Sequence, residues 1–346
     1  MKRMVVVIGL LCFACCALAQ ETRILFWNLE NFFDYHNDSL STADAEFSSF
    51  GERRWTKKRF LTKCGTLAKA LLWIGEQQGD MPDVLAFAEV ENRHVLWKLL
   101  DETPLRKLDY RIVHYDSPDP RGIDVALLYR SDRWSLLSSK PCHIYKPVLP
   151  SDTLVISSDP FVISSEVEKS IILPTRDILQ VTLLNKTAPD TLSVLVNHHP
   201  SKYGGAKASQ IRRQAAVDRL RAVADSLQRR GERHVVALGD FNDTPENPLY
   251  ATLSPVLHSL ADSLHRAGRG SIRFNGVWEL IDLAFVSPSL TGRTAMDIIT
   301  VPFLMVRDGT HPGDKPLRTY EGPRYKGGVS DHLPITVSLM LQPSEH

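Results

Sequence analysis

Four apolar runs in this chain end in the same way, and that shared ending limits the folds open to it. Val235 to Leu238 passes through Gly239 into Asp240, Phe241, Asn242 and Asp243. Ile24 to Trp27 leads into Asn28 and Glu30, Val84 to Ala88 into Glu89, and Ser193 to Val196 into Asn197, His198 and His199. A fifth run follows Ser330-Asp331-His332 at the end of the chain. Short apolar runs closed by polar residues read as buried strands that deliver acids, amides and imidazoles to one edge of a sheet.

Helical periodicity separates these strands. Leu61, Cys64, Ala68 and Leu71 recur at three- and four-residue steps and predict a helix over 57–78, stopped by Pro82. Asn92 is placed to cap a second helix that runs to Leu100. A third, polar-amphipathic helix is expected over 206–229, and further strands over 83–90, 110–115, 124–130, 178–184, 191–197, 280–286 and 335–341. The stretch 140–174 shows no readable period. Mixed strands with a few long helices predict an α/β four-layer sandwich, two packed mixed β-sheets flanked by helices.

Residues 1–19 read as a secretory signal peptide. Lys2 and Arg3 precede an apolar stretch, and Ala17-Leu18-Ala19 forms a small-residue cleavage site. Export after cleavage is therefore expected, with no membrane span; a lipid anchor through Cys15 or Cys16 is the less favoured alternative. Loss of Lys2 and Arg3 takes the basic count from 41 to 39 against 40 acids. A chain this neutral has no global attraction to nucleic acid, so any such binding must rest on a local patch. Arg53-Arg54-Trp55-Thr56-Lys57-Lys58-Arg59 is that patch. Only Cys64 and Cys142 lie beyond the leader, which excludes a disulfide scaffold; they form one bridge or remain buried free thiols. Residues 20–346 carry no linker or repeat, and their motifs span residues 28 to 332, so one domain and a monomer are expected.

Six motifs occur in order: Trp27-Asn28-Leu29-Glu30, Ala88-Glu89, Asn197-His198-His199, Gly239-Asp240-Phe241-Asn242, Ile281-Asp282-Leu283 and Ser330-Asp331-His332. Together they resemble the endonuclease/exonuclease/phosphatase superfamily, with its deoxyribonuclease-I-like fold. Glu89-Val90-Glu91-Asn92 and the run Arg121 to Tyr129 resemble a secreted or periplasmic bacterial branch. The resemblance implies a divalent-metal-dependent phosphoesterase using Mg²⁺, with Mn²⁺ as the alternative ion.

Such chemistry accounts for the residue types. A phosphodiester is anionic and repels hydroxide, so an oxygen-bound hard cation must neutralise it. Glu89 is the first metal ligand by resemblance, with Glu30 and Asp331 completing the site directly or through water. Asp240 would orient or deprotonate the attacking water, and Asn242 would position the phosphate or Asp240 itself. His332 would serve the phosphate while Asp282 holds its far nitrogen, and Asn28 would join that cluster. An Asn-x-His spacing points to His199 and the Asn-His-x-Pro-Ser pattern to His198. Alternation sends neighbours to opposite faces, and His198 is the favoured one. Arg121 and Asn197 are the expected substrate contacts, Arg121 because a guanidinium binds phosphate oxygens in pairs.

The expected substrate is a phosphate ester, nucleic acid included. A phosphodiesterase or nuclease leads, and a phosphomonoesterase or a phospholipid-cleaving, sphingomyelinase-like enzyme would use the same set. A catalytically silent binding module on this fold is the non-enzymatic rival.

Overall fold

The structure is a computed structural model that describes residues 21–36, 42–147, 170–188, 190–202 and 206–341. In chain order the main strands are β1 (Glu21–Phe32), β2 (Val84–Val90), β3 (Tyr110–His114), β4 (Asp124–Arg130), β5 (Trp134–Cys142) and β6 (Ile178–Asn185). They continue with β7 (Thr191–His198), β8 (Val235–Asp240), β9 (His258–Ser259), β10 (Asp282–Val286), β11 (Thr294–Ile298) and β12 (Ile335–Met340). The long helices are α1 (Lys57–Gln78), α2 (Arg93–Asp101) and α3 (Ala206–Arg229).

Alternation along β1 explains the layering. Ile24 and Phe26 join one buried cluster, while Leu25, Trp27 and Leu29 join another, as the two-residue side-chain period of a strand requires. A strand buried on both faces belongs in the middle of a sheet. β1 pairs in parallel with β2 and antiparallel with β12, in a sheet ordered β11-β12-β1-β2-β4-β3. The second sheet is ordered β9-β10-β8-β7-β6-β5.

The sheets pack through Ile24, Phe26, Ala86 and Leu127 of the first and Val181, Val194, Val236 and Leu238 of the second. Outside the first sheet, Leu25, Trp27 and Phe87 meet Phe60, Cys64 and Leu67 of α1 and Val95 and Leu99 of α2. Val217, Leu220 and Leu227 of α3 join the cluster that holds the second sheet. The result is the four-layer α/β sandwich with two mixed six-stranded sheets.

Local signals place the helix ends. Thr56 caps α1 by accepting the Arg59 N–H, Gly79 closes it at φ 82°, and Asn92 caps α2 through the Val95 N–H at 3.1 Å. The buried face of α1 also holds a cation. Lys63 is 1% exposed and donates through Nζ to the Glu30 carbonyl at 2.7 Å and to Thr319 Oγ1 at 2.9 Å. Cys64 and Cys142 are free and buried, so the thiol alternative is the one observed. The leader over residues 1–19 lies outside the described residues, as do residues 148–169 of the unread stretch and Tyr203 to Gly205 of the loop after β7. No helix among the described residues is long and apolar enough to cross a membrane.

Gly239 lets β8 approach β7 beside the polar strand ends. A Cβ at this position would meet Asn197 O at 2.0 Å and Asn197 Cβ at 2.8 Å, and a strand carbonyl cannot yield as a flexible side chain would. Gly239→Ala is expected to cost about 1–3 kcal/mol through overpacking. Urea unfolding should read this as a lower midpoint at unchanged slope; an unshifted midpoint would show that the strands separate without penalty.

Candidate active site

Strand register assembles the centre of the site. Asp240, the last residue of β8, lies opposite Asp282 on β10 and opposite His198 on β7. Residues in one register row share a face of the sheet, so these three side chains point the same way. The first sheet meets them with Asn28, whose Nδ2 donates to Asp240 Oδ2 at 3.0 Å. The loop before β12 supplies His332, whose Nδ1 lies 2.7 Å from Asp282 Oδ2. Its Nε2 faces Asp240 Oδ2 at 3.9 Å. His332 is held by its own backbone: its N–H donates to Ser330 Oγ, and its carbonyl accepts Trp27 Nε1. Ser330 Oγ in turn donates to the Asn28 carbonyl at 2.6 Å.

Burial and charge push these groups apart in protonation. Burial, reinforced by the nearby Asp282 carboxylate, raises Asp240 to about 7 against the help of His332, the Asn242 N–H and Asn28. Burial alone would discharge His332, but the Asp282 carboxylate outweighs it and holds the imidazole well above its ordinary range. His198 goes the other way. Burial and the positive charges of Arg176 and Arg121 hold it well below 6.5. Asp240 therefore lies between a charged and a neutral imidazole, with His198 Nε2 3.6 Å from its Oδ2.

A second, acidic face adjoins this centre. Glu89 Oε2 accepts the Asn31 N–H at 2.8 Å. Glu30 accepts Arg318 Nε at 2.8 Å and the Thr319 N–H at 3.0 Å, and Arg318 Nη2 lies 3.0 Å from Asp331 Oδ2. Burial and Asp331 raise Glu30 to about 7 despite Arg318 and Lys63. Burial lowers Lys63 to about 8 against the pull of Glu30, Glu89 and Asp331. Three carboxylates whose charges converge on the same two cations form the oxygen-only donor set that a hard divalent cation requires. The residues fit such an ion. Among the described residues, however, the acid and His groups with ligand atoms within 4.8 Å of one another are Asp240–Asp282–His332 and His114–Asp116–Asp124. Glu30, Glu89 and Asp331 are spaced more widely.

Of the expected site residues, Asn197 and His199 are not brought to the centre. Alternation turns Asn197 and His199 away from Asp240. Asn197 is fully buried and donates to the Leu195 carbonyl at 2.8 Å, so it braces the strands and cannot meet substrate. The His199 ring packs on Phe241 with centroids 4.5 Å apart. Burial and Arg176 hold it down at about 3, which leaves His198 as the imidazole at the centre. The Asn242 side chain bonds the His199 carbonyl at 3.0 Å, while its backbone N–H donates to Asp240 Oδ1 at 2.9 Å. Of the two expected roles, the structure shows the one toward Asp240.

Arg121 stands half exposed beside Asp119, its N–H bonded to Asp119 Oδ1 at 2.9 Å. Behind it is Arg176, which the sequence reading missed. Arg176 is 4% exposed and bridges Asp119 Oδ2 at 2.8 Å and the His199 carbonyl at 2.6 Å. Its one signal in the sequence is an arginine entering an apolar strand, which demands a buried partner. The basic patch is part of the wall: Arg53 lies over Phe47 and Tyr320, and Arg59 over Tyr325. Arg53 also lines a cavity of about 120 Å³ with Glu30, Asn31, Arg318 and Tyr320.

Residues 23–341 match the model of the Endonuclease/Exonuclease/phosphatase family. No curated protein matches the sequence. Among solved structures, a family protein from Bacteroides thetaiotaomicron is similar at 18% identity and a TM-score of 0.55, covering 93% of this chain and 98% of its own. A mannosyl-6-phosphatase from the same organism is similar at 16% and 0.54, covering 92% and 100%. The human Nocturnin catalytic domain with bound sulfate is similar at 15% and 0.53, covering 93% and 95%. Likenesses at this identity establish the fold.

The two imidazoles make a prediction that needs no substrate. In the wild type His332 should remain protonated through neutral pH while His198 stays neutral. In Asp282→Asn the strongest support for the charged His332 is lost, leaving Asp240 and Asp331 against its burial, so its pKa should fall toward the ordinary 6.5. Imidazole nitrogen shifts in an NMR pH titration read this directly, and an unmoved His332 would mean that Asp282 does not set its charge.

Proposed function

Since the chain belongs to the endonuclease/exonuclease/phosphatase family, we propose that it is a divalent-cation-dependent hydrolase of phosphate esters, with phosphodiesters as the favoured substrates. One observation carries this reading: a buried Asp240 carboxylate fixed by Asn28 and the Asn242 N–H, facing a His332 whose far nitrogen is held by Asp282, with burial raising Asp240 to about 7. A base whose pKa lies near neutrality is matched to taking a proton from water at neutral pH. A charged imidazole held in one orientation is matched to a phosphate oxygen.

Each residue then has a role. Asn28 and the Asn242 N–H fix the Asp240 carboxylate, which takes the proton of the attacking water. His332 presents Nε2–H to a non-bridging phosphate oxygen, and Asp282 keeps that tautomer. Neutral His198 offers its Nε2 from the opposite side. Arg121 closes the entrance as a contact for phosphate. Glu89, Glu30 and Asp331 would hold Mg²⁺ or Mn²⁺, which would supply charge neutralisation at the phosphate and the leaving oxygen. The diester reading is favoured by Arg53, which lines the cavity beside Glu30 and offers charge to a phosphate neighbouring the one attacked.

Nicking of supercoiled plasmid tests the proposal. Cleavage should require Mg²⁺ or Mn²⁺ and stop with EDTA. Asp240→Ala and His332→Ala should each reduce it by about 10²–10⁴-fold; Asp240→Ala should keep the fold, and His332→Ala should melt lower because it leaves Asp282 buried without its cation. Glu89→Gln should raise the cation concentration needed. Phosphate release from monoesters with the same residue dependence, and no nicking, would move the assignment to a phosphomonoesterase. Inactivity on both under either cation would leave a binding module.

A further inference from the structure

Arg318 occupies the acidic face from the solvent side. Its Nε bonds Glu30 Oε1 at 2.8 Å and its Nη2 lies 3.0 Å from Asp331 Oδ2, and the charge of Glu89 acts on it as well. One guanidinium thus spans acids from β1 and from the loop before β12. It comes from a segment between two short hairpins, Met305–Arg307 with Asp314–Pro316 and Tyr320–Glu321 with Arg324–Tyr325.

The other cation on these acids has no such freedom. Lys63 is buried beneath the face, with its bonds committed to the Glu30 carbonyl and Thr319. The Arg318 side chain is 47% exposed and lines two cavities. One, of about 120 Å³, lies beside Glu30. The other, of about 470 Å³, is shared with Arg307, Lys315 and Lys326. Arg318 therefore has room to leave its carboxylates.

A divalent cation and a guanidinium cannot both use the same two carboxylates closely. Each needs the same oxygen lone pairs, and at short range in a partly buried site their charges repel.

Resting on the cation-dependent reading above, we propose that Arg318 is a built-in competitor for the divalent cation. It neutralises Glu30 and Asp331 when no cation is bound, and cation binding breaks its ion pairs and frees its side chain toward solvent. Cation affinity is then set by the difference between two occupants of the same acids. Removing Arg318 leaves the acids under-compensated, which destabilises the cation-free protein and strengthens cation binding together.

Calorimetric titration of Mn²⁺ into the wild type, Arg318→Gln, Arg318→Lys and Glu89→Gln tests this, with thermal midpoints taken with and without the ion. Arg318→Gln should bind Mn²⁺ about tenfold more tightly, equivalent to about 1.4 kcal/mol. It should melt lower without the ion and gain more on adding it, while Arg318→Lys falls between it and the wild type. Unchanged or weaker binding in Arg318→Gln, with binding weakened in Glu89→Gln, would overturn the role of Arg318 and leave the hydrolase reading intact. A wild type that binds no Mn²⁺ would overturn both.

Discussion

The ion pair between Asp282 and His332 is the condition for everything else at the mouth of the two sheets. Asp240 and Asp282 sit opposite each other on paired strands, both almost fully buried. Two carboxylates so placed cannot both carry charge without a cation between them. His332 supplies that cation through Nδ1 and turns Nε2 toward Asp240. Breaking a buried pair from one side costs about 3–5 kcal/mol, a large part of the roughly 5–15 kcal/mol that holds a domain together. The pair therefore serves the fold and the chemistry at once. It lets Asp240 remain buried, and it leaves Asp240 at about 7 rather than fully suppressed.

Register carries this arrangement into space. A slip of one residue between β8 and β7 would replace His198 by Asn197 in the row of Asp240, and a slip against β10 would replace Asp282 by Leu283. The apolar alternation of the strands forbids both, because either slip turns core residues out of the core. Gly239 tightens the same constraint through its close approach to Asn197. The geometry of the site follows from ordinary core packing, since residues at the ends of buried strands inherit the faces set by the apolar residues of the same strand.

That inheritance explains what could be read from the sequence. The strand ends at Asn28, Glu89, His198, Asp240 and Asp282, and the helices over 57–78 and 206–229, were legible because each continues a local apolar period. The choice of His198 over His199 follows from the same alternation, which also carries Asn197 away from the substrate side. Arg176, Lys63 and Arg318 were not legible. Each is a cation whose partner lies far along the chain, Asp119 for Arg176, the Glu30 carbonyl and Thr319 for Lys63, and Glu30 and Asp331 for Arg318. Nothing in local periodicity marks a buried lysine on an apolar helix face, and α1 reads there as an ordinary solvated position. Long-range charge compensation is a property of the folded chain, and a single sequence shows only the acids that call for it.

Backbone strain gathers at the same place. Glu30, Asn31, Glu89 and Asn242 all have positive φ, between 46° and 59°, and the pairing of β1 with β2 slips register where the first three lie. Such conformations cost about 1–3 kcal/mol each for residues with a side chain, and they persist only where surrounding interactions over-determine them. Here three of the four strained residues turn their N–H groups into acceptors at the site: Glu30 to Asn28 Oδ1, Asn31 to Glu89 Oε2, and Asn242 to Asp240 Oδ1. A regular strand would spend those donors on its neighbour in the sheet. By breaking the ladder, β1 and the turn after β8 redirect them onto the amide and carboxylates of the candidate site. Hydrogen bonds to a charged carboxylate are worth about twice those between neutral groups, so the redirected bonds offset part of the strain. The acids are thereby oriented by the backbone before any substrate arrives, and the fold meets the cost of that orientation in advance.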